Sequence, residues 1–384
     1  MSTNLDHDAA MHIPGTVTIG GTECPVRRAW PAGPGRIAWE AVDSDLGIRA
    51  GYLDESGLRL LEADSDPKLP GLAGLLEEGG RLISHRPGKR AVVQLPDGSF
   101  AKSVREGRAD DVLTGQRRAE GFIPGFALPQ VLRSDSSTVV LSAVPGVELH
   151  DPAALGADWA RAWAEALGAW AKAGSGPGPG SGPGPGLVPG SGSASQSIVP
   201  IHDAAAEVEV LKTWRDRALP VLAAGAGELD ELIVEVSAEL IGGPSRERTT
   251  EHTTEPEGGA TSARDDTFGL IHRDLHDKQI MWDPVAGPGL LDVDTACRGE
   301  RALDLGNLRA HALWRTEQNL WTTAQAAAVI DEIARTASAA GIDPARVRVY
   351  ERVTLIRLAC VYAFRPAWRN RTGWLLDIAR SLQS

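Results

Sequence analysis

Side chains suited to catalysis are concentrated in one short stretch of the chain, between positions 272 and 294. His272 and Asp274 follow an apolar run, Gln279 comes five residues after Asp274, and Asp292 and Asp294 follow a second apolar run. Carboxylate and amide oxygens are ligands that Mg²⁺ accepts while it bridges phosphate groups. The spacing therefore indicates phosphoryl transfer, in which catalysis is mostly positioning and neutralisation of charge.

The segment that joins these residues predicts a β-hairpin. Apolar residues flank a turn rich in proline and glycine within 280–291. Such a hairpin would bring Asp274, Gln279 and Asp292 close together. Asp274 then suits the base that accepts a hydroxyl proton, Asp292 the magnesium ligand, and Gln279 the ligand of a second metal ion. For Asp294 two interpretations stay open, a further metal ligand or a side chain that faces solvent.

Three motifs in this order resemble the aminoglycoside and choline phosphotransferase family: H-x-D-x4-(N/Q), an apolar D-x-D, and ALDLGNL at 302–308. The resemblance covers 268–308 by motif and about 80–380 by architecture. It implies an α+β, two-lobed, protein-kinase-like fold with a small antiparallel-sheet N-lobe and a mainly helical C-lobe. It also implies ATP and Mg²⁺ as cofactors, and a small-molecule hydroxyl, sugar-like, as the acceptor.

The resemblance also assigns residues beyond the hairpin. Lys102, in the strand-like FAKSVR, would hold the α- and β-phosphates of the nucleotide. Asp304 would be the buried acid that braces the catalytic loop, and His272 would organise the same loop through hydrogen bonds. Backbone groups of Ser142 to Val144 would hydrogen-bond adenine.

The sequence departs from the family pattern in ways that keep alternatives open. Glutamine stands at 279 where asparagine is usual, and the turn 84–88 takes the place of a G-x-G-x-x-G loop. The acidic partner of Lys102 is left open between Asp111 and Glu120. A catalytically weak nucleotide-binding protein is therefore one alternative. A protein kinase is another, but the chain has neither a D-F-G nor an A-P-E segment, so an ATP-dependent kinase of an alcohol group is preferred.

The elements that must position these residues fall into two halves. Up to about residue 145, short strand-like runs alternate with turns, and one helix is predicted at about 109–121. Beyond it the pattern is helical, with cap signals at Asp151-Pro152 and Asp343-Pro344. We predict a flexible terminus (1–14), an N-lobe (15–141) and a C-lobe (142–384). The hinge between the lobes is predicted near Leu141 to Val144. The C-lobe contains two predicted flexible inserts, 174–195 and 242–266.

Composition narrows the class of protein. A net charge of -12 over 384 residues argues against a nucleic-acid partner. The chain has no apolar window long enough to cross a bilayer and no start typical of a secretory signal. Its three cysteines are far apart, which disfavours a disulfide framework or a zinc site. We expect a cytoplasmic enzyme without nucleic-acid or membrane partners; its oligomeric state is left open.

One cluster of residues near the C-terminus bears on the charge and chemical type of the acceptor. The segment FRPAWRNRTGW (364–374) combines Arg365, Trp368, Arg369 and Arg371. Beside the acceptor site it would suit a sugar or an anionic acceptor better than a polycationic one. The alternative is a solvated helix end.

Overall fold

The computed structural model describes residues 12–43, 47–173, 199–222, 226–242 and 267–382. The predicted insert 174–195 lies outside the described residues, as does the insert 242–266 apart from Gly242, which ends a helix. Of the predicted flexible terminus, only 12–14 is described, and Ile13 is packed into the core. Within the described ranges, no helix combines the length and apolar character needed to cross a bilayer.

The chain begins with an antiparallel sheet of five strands, which we call the first sheet. Its strands are neighbours in chain order: β1 (Thr16–Ile19), β2 (Thr22–Pro31), β3 (Ile37–Asp43), β4 (Gly47–Asp54) and β5 (Gly57–Leu60). The turn predicted after Asp54 is present, with Gly57 at φ 98°, a conformation that glycine adopts without strain. Sequence patterns indicated β4 and β5 but not β1 to β3.

A second antiparallel sheet of five strands follows, in the order β6-β7-β8-β10-β9. Its elements are α1 (Leu72–Glu77), β6 (Arg81–Arg86), β7 (Arg90–Gln94), β8 (Phe100–Val104), α2 (Ala109–Ala119), β9 (Val131–Ser134) and β10 (Thr138–Leu141). The single sheet suggested by the sequence for this half of the chain is therefore wrong, because β1 to β5 form a sheet of their own. The helix predicted at 109–121 is α2.

The rest of the described chain is mainly helical. It contains α3 (Pro152–Leu155), α4 (Trp159–Ala173), α5 (Ala204–Ala218), α6 (Ala226–Gly242), α7 (Ala302–Glu317), α8 (Thr323–Ala339), α9 (Pro344–Tyr362) and α10 (Thr372–Ser381). Short strands lie among them: β11 (Val147–Glu148), β12 (Ile201–His202), β13 (Phe268–Ile271), β14 (Ile280–Asp283), β15 (Gly287–Leu290) and β16 (Cys297–Glu300).

Helix ends follow the cap signals in the sequence. The carboxylate of Asp151 accepts hydrogen bonds from two backbone N–H groups of α3, and Asp343 caps α9 in the same way with one. Thr322 and Gln325 form a reciprocal capping box at α8. The tryptophans of α4 are buried, and Trp159 and Trp163 pack edge-to-face with Trp321, so they belong to the core.

The first sheet contacts both the second sheet and the helical part. Glu40 of β3 accepts a hydrogen bond from the backbone N–H of His85 in β6 (2.6 Å). On the other side, the N–H of Ala29 in β2 donates to the carbonyl of Phe364, just after α9 (2.9 Å). The guanidinium of Arg365 donates to the carbonyl of Ala29 as well. The first sheet is therefore hydrogen-bonded to elements on both sides of the site described next.

Candidate active site

The predicted hairpin is present and joins the two halves of the site. Strands β14 and β15 pair antiparallel, and the N–H of Leu291 donates to the carbonyl of Gln279 (2.8 Å). The Nε2–H of His272 donates to the carbonyl of Leu291 (2.9 Å). The loop 272–279 therefore lies against the strand end that carries Asp292.

Asp304, near the start of α7, is fully buried and binds the backbone of the loop 272–279. Its carboxylate accepts hydrogen bonds from the backbone N–H groups of His272 and Arg273 (both 2.9 Å) and from the indole of Trp170 (3.1 Å). Burial raises the pKa of Asp304, although these donors and His272 oppose the shift. Arg273 has φ 74°, a conformation that costs free energy in a non-glycine residue and persists only where neighbours fix it.

The carboxylate of Asp274 projects from this loop and remains 49% exposed. Its described side-chain partner is Arg357 of α9, whose Nη1 lies 3.4 Å from Oδ1. Arg357 is itself held by the amide oxygen of Asn307 (2.8 Å), and the amide nitrogen of Asn307 donates to the carbonyl of Arg273 (2.9 Å). Sequence analysis missed Arg357, because no motif links α9 to the loop.

Lys102 lies at the centre of the acidic part of the site. Its ammonium contacts Oδ1 of Asp292 at 2.8 Å and Oδ2 of Asp294 at 2.7 Å. Arg90, on the neighbouring strand β7, reaches the other oxygen of Asp292 at 3.6 Å. The acidic partner of Lys102 is therefore neither Asp111 nor Glu120. Asp111 instead pairs with Arg108 at the exposed start of α2.

These charges shift each other's pKa in opposite directions. Burial alone would lower the pKa of Lys102, but the carboxylates of Asp292 and Asp294 raise it above its usual range. Burial would raise the pKa of Asp292, but Lys102 and Arg90 hold it well below its usual range. Asp292 is therefore an anion at any physiological pH, as a ligand of a cation must be.

Asp294 lies in a short 3-10 turn (Val293–Thr295) against which helix α2 packs closely. A Cβ atom on Gly115 of α2 would lie 2.5 Å from the Cα of Asp294, so only glycine permits this approach. Oδ1 of Asp294 is buried without a hydrogen-bond donor among the described residues. A buried carboxylate oxygen of this kind, on a residue that shares Lys102 with Asp292, fits a hard divalent cation such as Mg²⁺.

The side chain of Gln279 lies beside the ring of His276, with 3.3 Å between the two Nε2 atoms. The imidazole of His276 stacks on that of His311 from α7, their centroids 4.6 Å apart. The side chain of Gln279, which stands where asparagine is usual, therefore contacts the ring of His276, and that ring is itself held by stacking on His311.

A buried ion pair anchors the loop to α7. Both oxygens of Asp277 accept hydrogen bonds from Arg315 (2.8 and 2.9 Å), and His150 bonds to the same carboxylate. His276, Asp277 and His311 are close enough together to suggest a metal site. Because Arg315 already occupies both oxygens of Asp277, the group is an anchor for the loop.

The predicted hinge residues follow β10. The N–H of Ser142 donates to the carbonyl of Gln130 (2.9 Å), and its hydroxyl accepts from the N–H of Gln130. This leaves the carbonyl of Ser142, and not its amide, for any contact with adenine. The side chain of Val144 is buried and would contact a Cβ at Gly289 of β15, so this connection packs on the hairpin.

The segment 84–88, predicted to take the place of a glycine-rich loop, forms the end of β6 and most of the turn that joins it to β7 (residues 86–89). Asp66 holds it: its carboxylate accepts from the imidazole of His85 (3.0 Å) and from the N–H groups of Gly88 (2.7 Å) and Lys68 (2.9 Å). Gly88 has φ 64° and packs on Tyr52 of the first sheet. The turn is therefore fixed by residues that precede the second sheet.

Most of the C-terminal arginine and tryptophan cluster has structural contacts. Arg369 donates to the carbonyl of Ile13 (3.4 Å), and Arg371 pairs with Glu317. Trp368 packs edge-to-face on Trp314 of α7. The guanidinium of Arg365 donates to the carbonyls of Ala29 and Phe364 and also lies over the ring of Trp30 in β2 (Cζ to centroid 5.4 Å).

Residues 81–350 match the sequence profile of the phosphotransferase enzyme family APH. The matched region is more than half of the chain and includes Lys102, Asp274, Gln279, Asp292 and Asp304. The chain belongs to this family. As an APH member it is a small-molecule phosphotransferase that uses a hydroxyl group as acceptor, as the motifs predicted.

Solved structures are similar to this APH chain in fold. Amicoumacin kinase hAmiN, in complex with AMP-PNP, Ca²⁺ and Ami, has a TM-score of 0.51 at 11% identity, over 79% of this chain and 88% of that one. An aminoglycoside phosphotransferase from Streptomyces rimosus with ADP and streptomycin has a TM-score of 0.47 at 16% identity, over 77% and 98%. A choline/ethanolamine kinase family protein from Mesorhizobium loti has a TM-score of 0.47 at 15% identity, over 82% and 90%.

The likeness to the amicoumacin kinase confirms the predicted two-lobed, kinase-like fold. No curated protein sequence matches the chain.

Proposed function

We propose that this APH member transfers the γ-phosphoryl group of ATP to a hydroxyl of a sugar, an aminoglycoside or a related small metabolite. The observation that carries the proposal is the convergence of two carboxylates on one ammonium: Nζ of Lys102 lies within 2.8 Å of an oxygen of Asp292 and of Asp294. The neighbouring loop exposes Asp274. ATP as donor is supported by the nucleotides AMP-PNP and ADP named for two structures of similar fold.

In the proposed reaction Asp274 is the base. Its exposed carboxylate accepts the proton of the acceptor hydroxyl as that oxygen forms a bond to the γ-phosphorus. The bond between the γ-phosphorus and the β–γ bridging oxygen breaks, and ADP leaves with that oxygen. Arg357 keeps the carboxylate in place through its 3.4 Å contact with Oδ1, and Asp304 keeps the loop backbone in place.

Asp292 and Gln279 would hold Mg²⁺, and Asp294 would add its unpaired buried oxygen. When bound, the ion supplies positive charge to the phosphate oxygens of the nucleotide. Lys102 neutralises both carboxylates in the structure described and would bind the α- and β-phosphates in the nucleotide complex. Carbonyl groups near Ser142 and Val144 would face adenine at the hinge between the proposed lobes.

The test is ADP release from ATP and Mg²⁺ with a panel of sugars, aminoglycosides and amino alcohols, followed by mass spectrometry of the acceptor. Asp274→Asn should lower kcat by about 10²–10⁴-fold, the usual contribution of a general base. Asp331→Asn, at an exposed position of α8, is the matched control and should keep wild-type activity.

Near-normal turnover by Asp274→Asn would refute the role of that residue. If no acceptor is phosphorylated, a Mg²⁺-independent thermal shift with ATP would favour the alternative of a nucleotide-binding protein without catalysis.

A further inference from the structure

Two arginines from distant parts of the chain lie over one buried tryptophan. Trp30 of β2 is 8% exposed. The guanidinium carbon of Arg86, at the end of β6, lies 5.7 Å from its ring centroid, and that of Arg365, after α9, lies 5.4 Å away. Arg28, two residues before Trp30, contacts the carboxylate of Glu40 (Nε to Oε1 3.2 Å), and the charges of both act on Arg365. We call Arg28, Arg86 and Arg365, which are all partly buried, the arginine cluster.

The arginine cluster is poorly neutralised. Glu40 is its nearby carboxylate, and that carboxylate is shared with Arg27 (2.8 Å) and with the backbone N–H of His85 (2.6 Å). The side chain of Arg86 has no hydrogen bond or ion pair to any residue that the structure describes. Two further cations approach Arg86, namely Arg90 on β7 and Arg217 at the end of α5.

The incomplete neutralisation is accompanied by lowered pKa values in the cluster. Burial lowers the pKa of Arg86 to about 10, with repulsion from Arg90 and Arg217 adding to the shift. Burial also lowers the pKa of Arg365 to about 10, and Arg28 contributes. Charged groups are seldom buried without a counter-charge, because desolvation is unfavourable. An anion placed among these guanidinium groups would remove that penalty.

The position of the cluster shows which bound group could supply the anion. Arg86 pairs across the hairpin with Arg90, which reaches Asp292 at 3.6 Å. On the other side, Arg365 follows Tyr362, whose hydroxyl lies 3.4 Å from Arg315, the anchor of the catalytic loop. The cluster is therefore connected to the acidic site through Arg90, and to the loop that carries Asp274 through Tyr362 and Arg315.

We propose that the acceptor carries an anionic group, a phosphate or a carboxylate, which is bound by Arg28, Arg86 and Arg365; this rests on the proposed function. Planar guanidinium groups bind both anions through paired hydrogen bonds. Nucleotide phosphates have the same chemistry, but Lys102 and Arg90 already face Asp292 on the nucleotide side. Arg86 lies on the second sheet, but Arg28 belongs to the first sheet, and Arg365 follows α9, whose Arg357 contacts Asp274. Two of the three arginines therefore come from outside the sheet that carries Lys102.

The experiment compares acceptors that differ only in the anionic group: glucose with glucose 6-phosphate, glucosamine with glucosamine 6-phosphate, and galactose with galacturonate. ADP release gives kcat/KM for each, in the wild type, in Arg28→Gln and in the control Arg335→Gln, whose arginine is exposed and paired with Glu332 on α8. The anionic member should be preferred. Arg28→Gln should lower its kcat/KM by about 30-fold, the loss expected for a charge-assisted hydrogen bond, and leave KM for ATP within about twofold, because Arg28 lies on the first sheet.

A preference for the neutral or cationic member of the pairs would overturn the proposal. So would a rise in KM for ATP alone in Arg28→Gln, because the cluster would then bind the nucleotide. If no acceptor is turned over, the proposed function fails in that assay, and a binding measurement tests the anion site separately. Glucose 6-phosphate and inorganic phosphate, added with MgADP, should raise the melting temperature of the wild type, of Asp274→Asn and of Arg335→Gln, but not of Arg28→Gln; no shift in the wild type would refute the anion site.

Discussion

Replacement of Asp66 by asparagine should loosen the β6–β7 turn, and the structure gives the size of the effect. Oδ2 of Asp66 accepts from His85 and Gly88, and Oδ1 accepts from Lys68. An amide has one acceptor oxygen, so at least one of these donors loses its partner and faces an N–H group. A buried unpaired donor costs about 1–3 kcal/mol, and the remaining bonds lose the assistance of charge. We expect a total of about 2–4 kcal/mol.

The matched control is Asp64→Asn. Asp64 is exposed and has φ 59°, a conformation that asparagine tolerates, so this substitution should leave stability nearly unchanged. Thermal unfolding of both variants measures the difference, which should be roughly 4–10 °C. Because the β6–β7 turn is the candidate cover for the nucleotide phosphates, Asp66→Asn should also raise KM for ATP, about tenfold for each 1.4 kcal/mol of lost preorganisation.

The pH dependence adds a second criterion. Burial would raise the pKa of Asp66, but the bonds from His85, Gly88 and Lys68 lower it below its ordinary value of 3.8. The stability it contributes is thus fully present above about pH 4 and is lost as the pH falls through the lowered pKa. The gap in melting temperature between wild type and Asp66→Asn should narrow below pH 4. Equal melting temperatures for Asp66→Asn and Asp64→Asn at pH 7 would refute the reasoning.

Two further substitutions test the acidic site by ADP release. Lys102→Met should raise KM for ATP by about tenfold or more, because it removes a cation proposed to bind the phosphates; an unchanged KM would mean that Lys102 only neutralises Asp292 and Asp294. Gln279→Asn should retain more activity than Gln279→Ala, since asparagine keeps the amide oxygen, and equal losses would count against the ligand role.

The parts of the molecule that the sequence predicted well are those with short-range signals. The helices α3 and α9 begin where the cap signals Asp151-Pro152 and Asp343-Pro344 predict, because helix caps act locally. The hairpin of β14 and β15 was predicted for the same reason. The loop, turn and strand ends of the candidate site lie within a few dozen residues of each other, so motif spacing was sufficient.

The parts that were missed depend on contacts between distant residues. Lys102 meets Asp292 across 190 positions, and Arg357 meets Asp274 across 83. Neither pairing leaves a periodic signal in the chain. In the first sheet, β2 contains two prolines and three charged residues among its ten, which hides the alternation that would predict a strand. The separation into two sheets depends on hydrogen-bond partners, and hydrophobic patterns do not specify these.

The first sheet also limits how the molecule can move. In the second sheet, β10 leads to the predicted hinge, while β6 is the strand at the opposite edge. At that edge Glu40 bonds to β6, and a few residues away Ala29 bonds to Phe364 after α9. If the second sheet rotated away from the helical part about residues 141–144, one of these two hydrogen bonds would break, or the first sheet would have to move with one of the two parts. Entry and exit of small molecules should therefore depend on shifts of side chains at the rim more than on separation of the two halves.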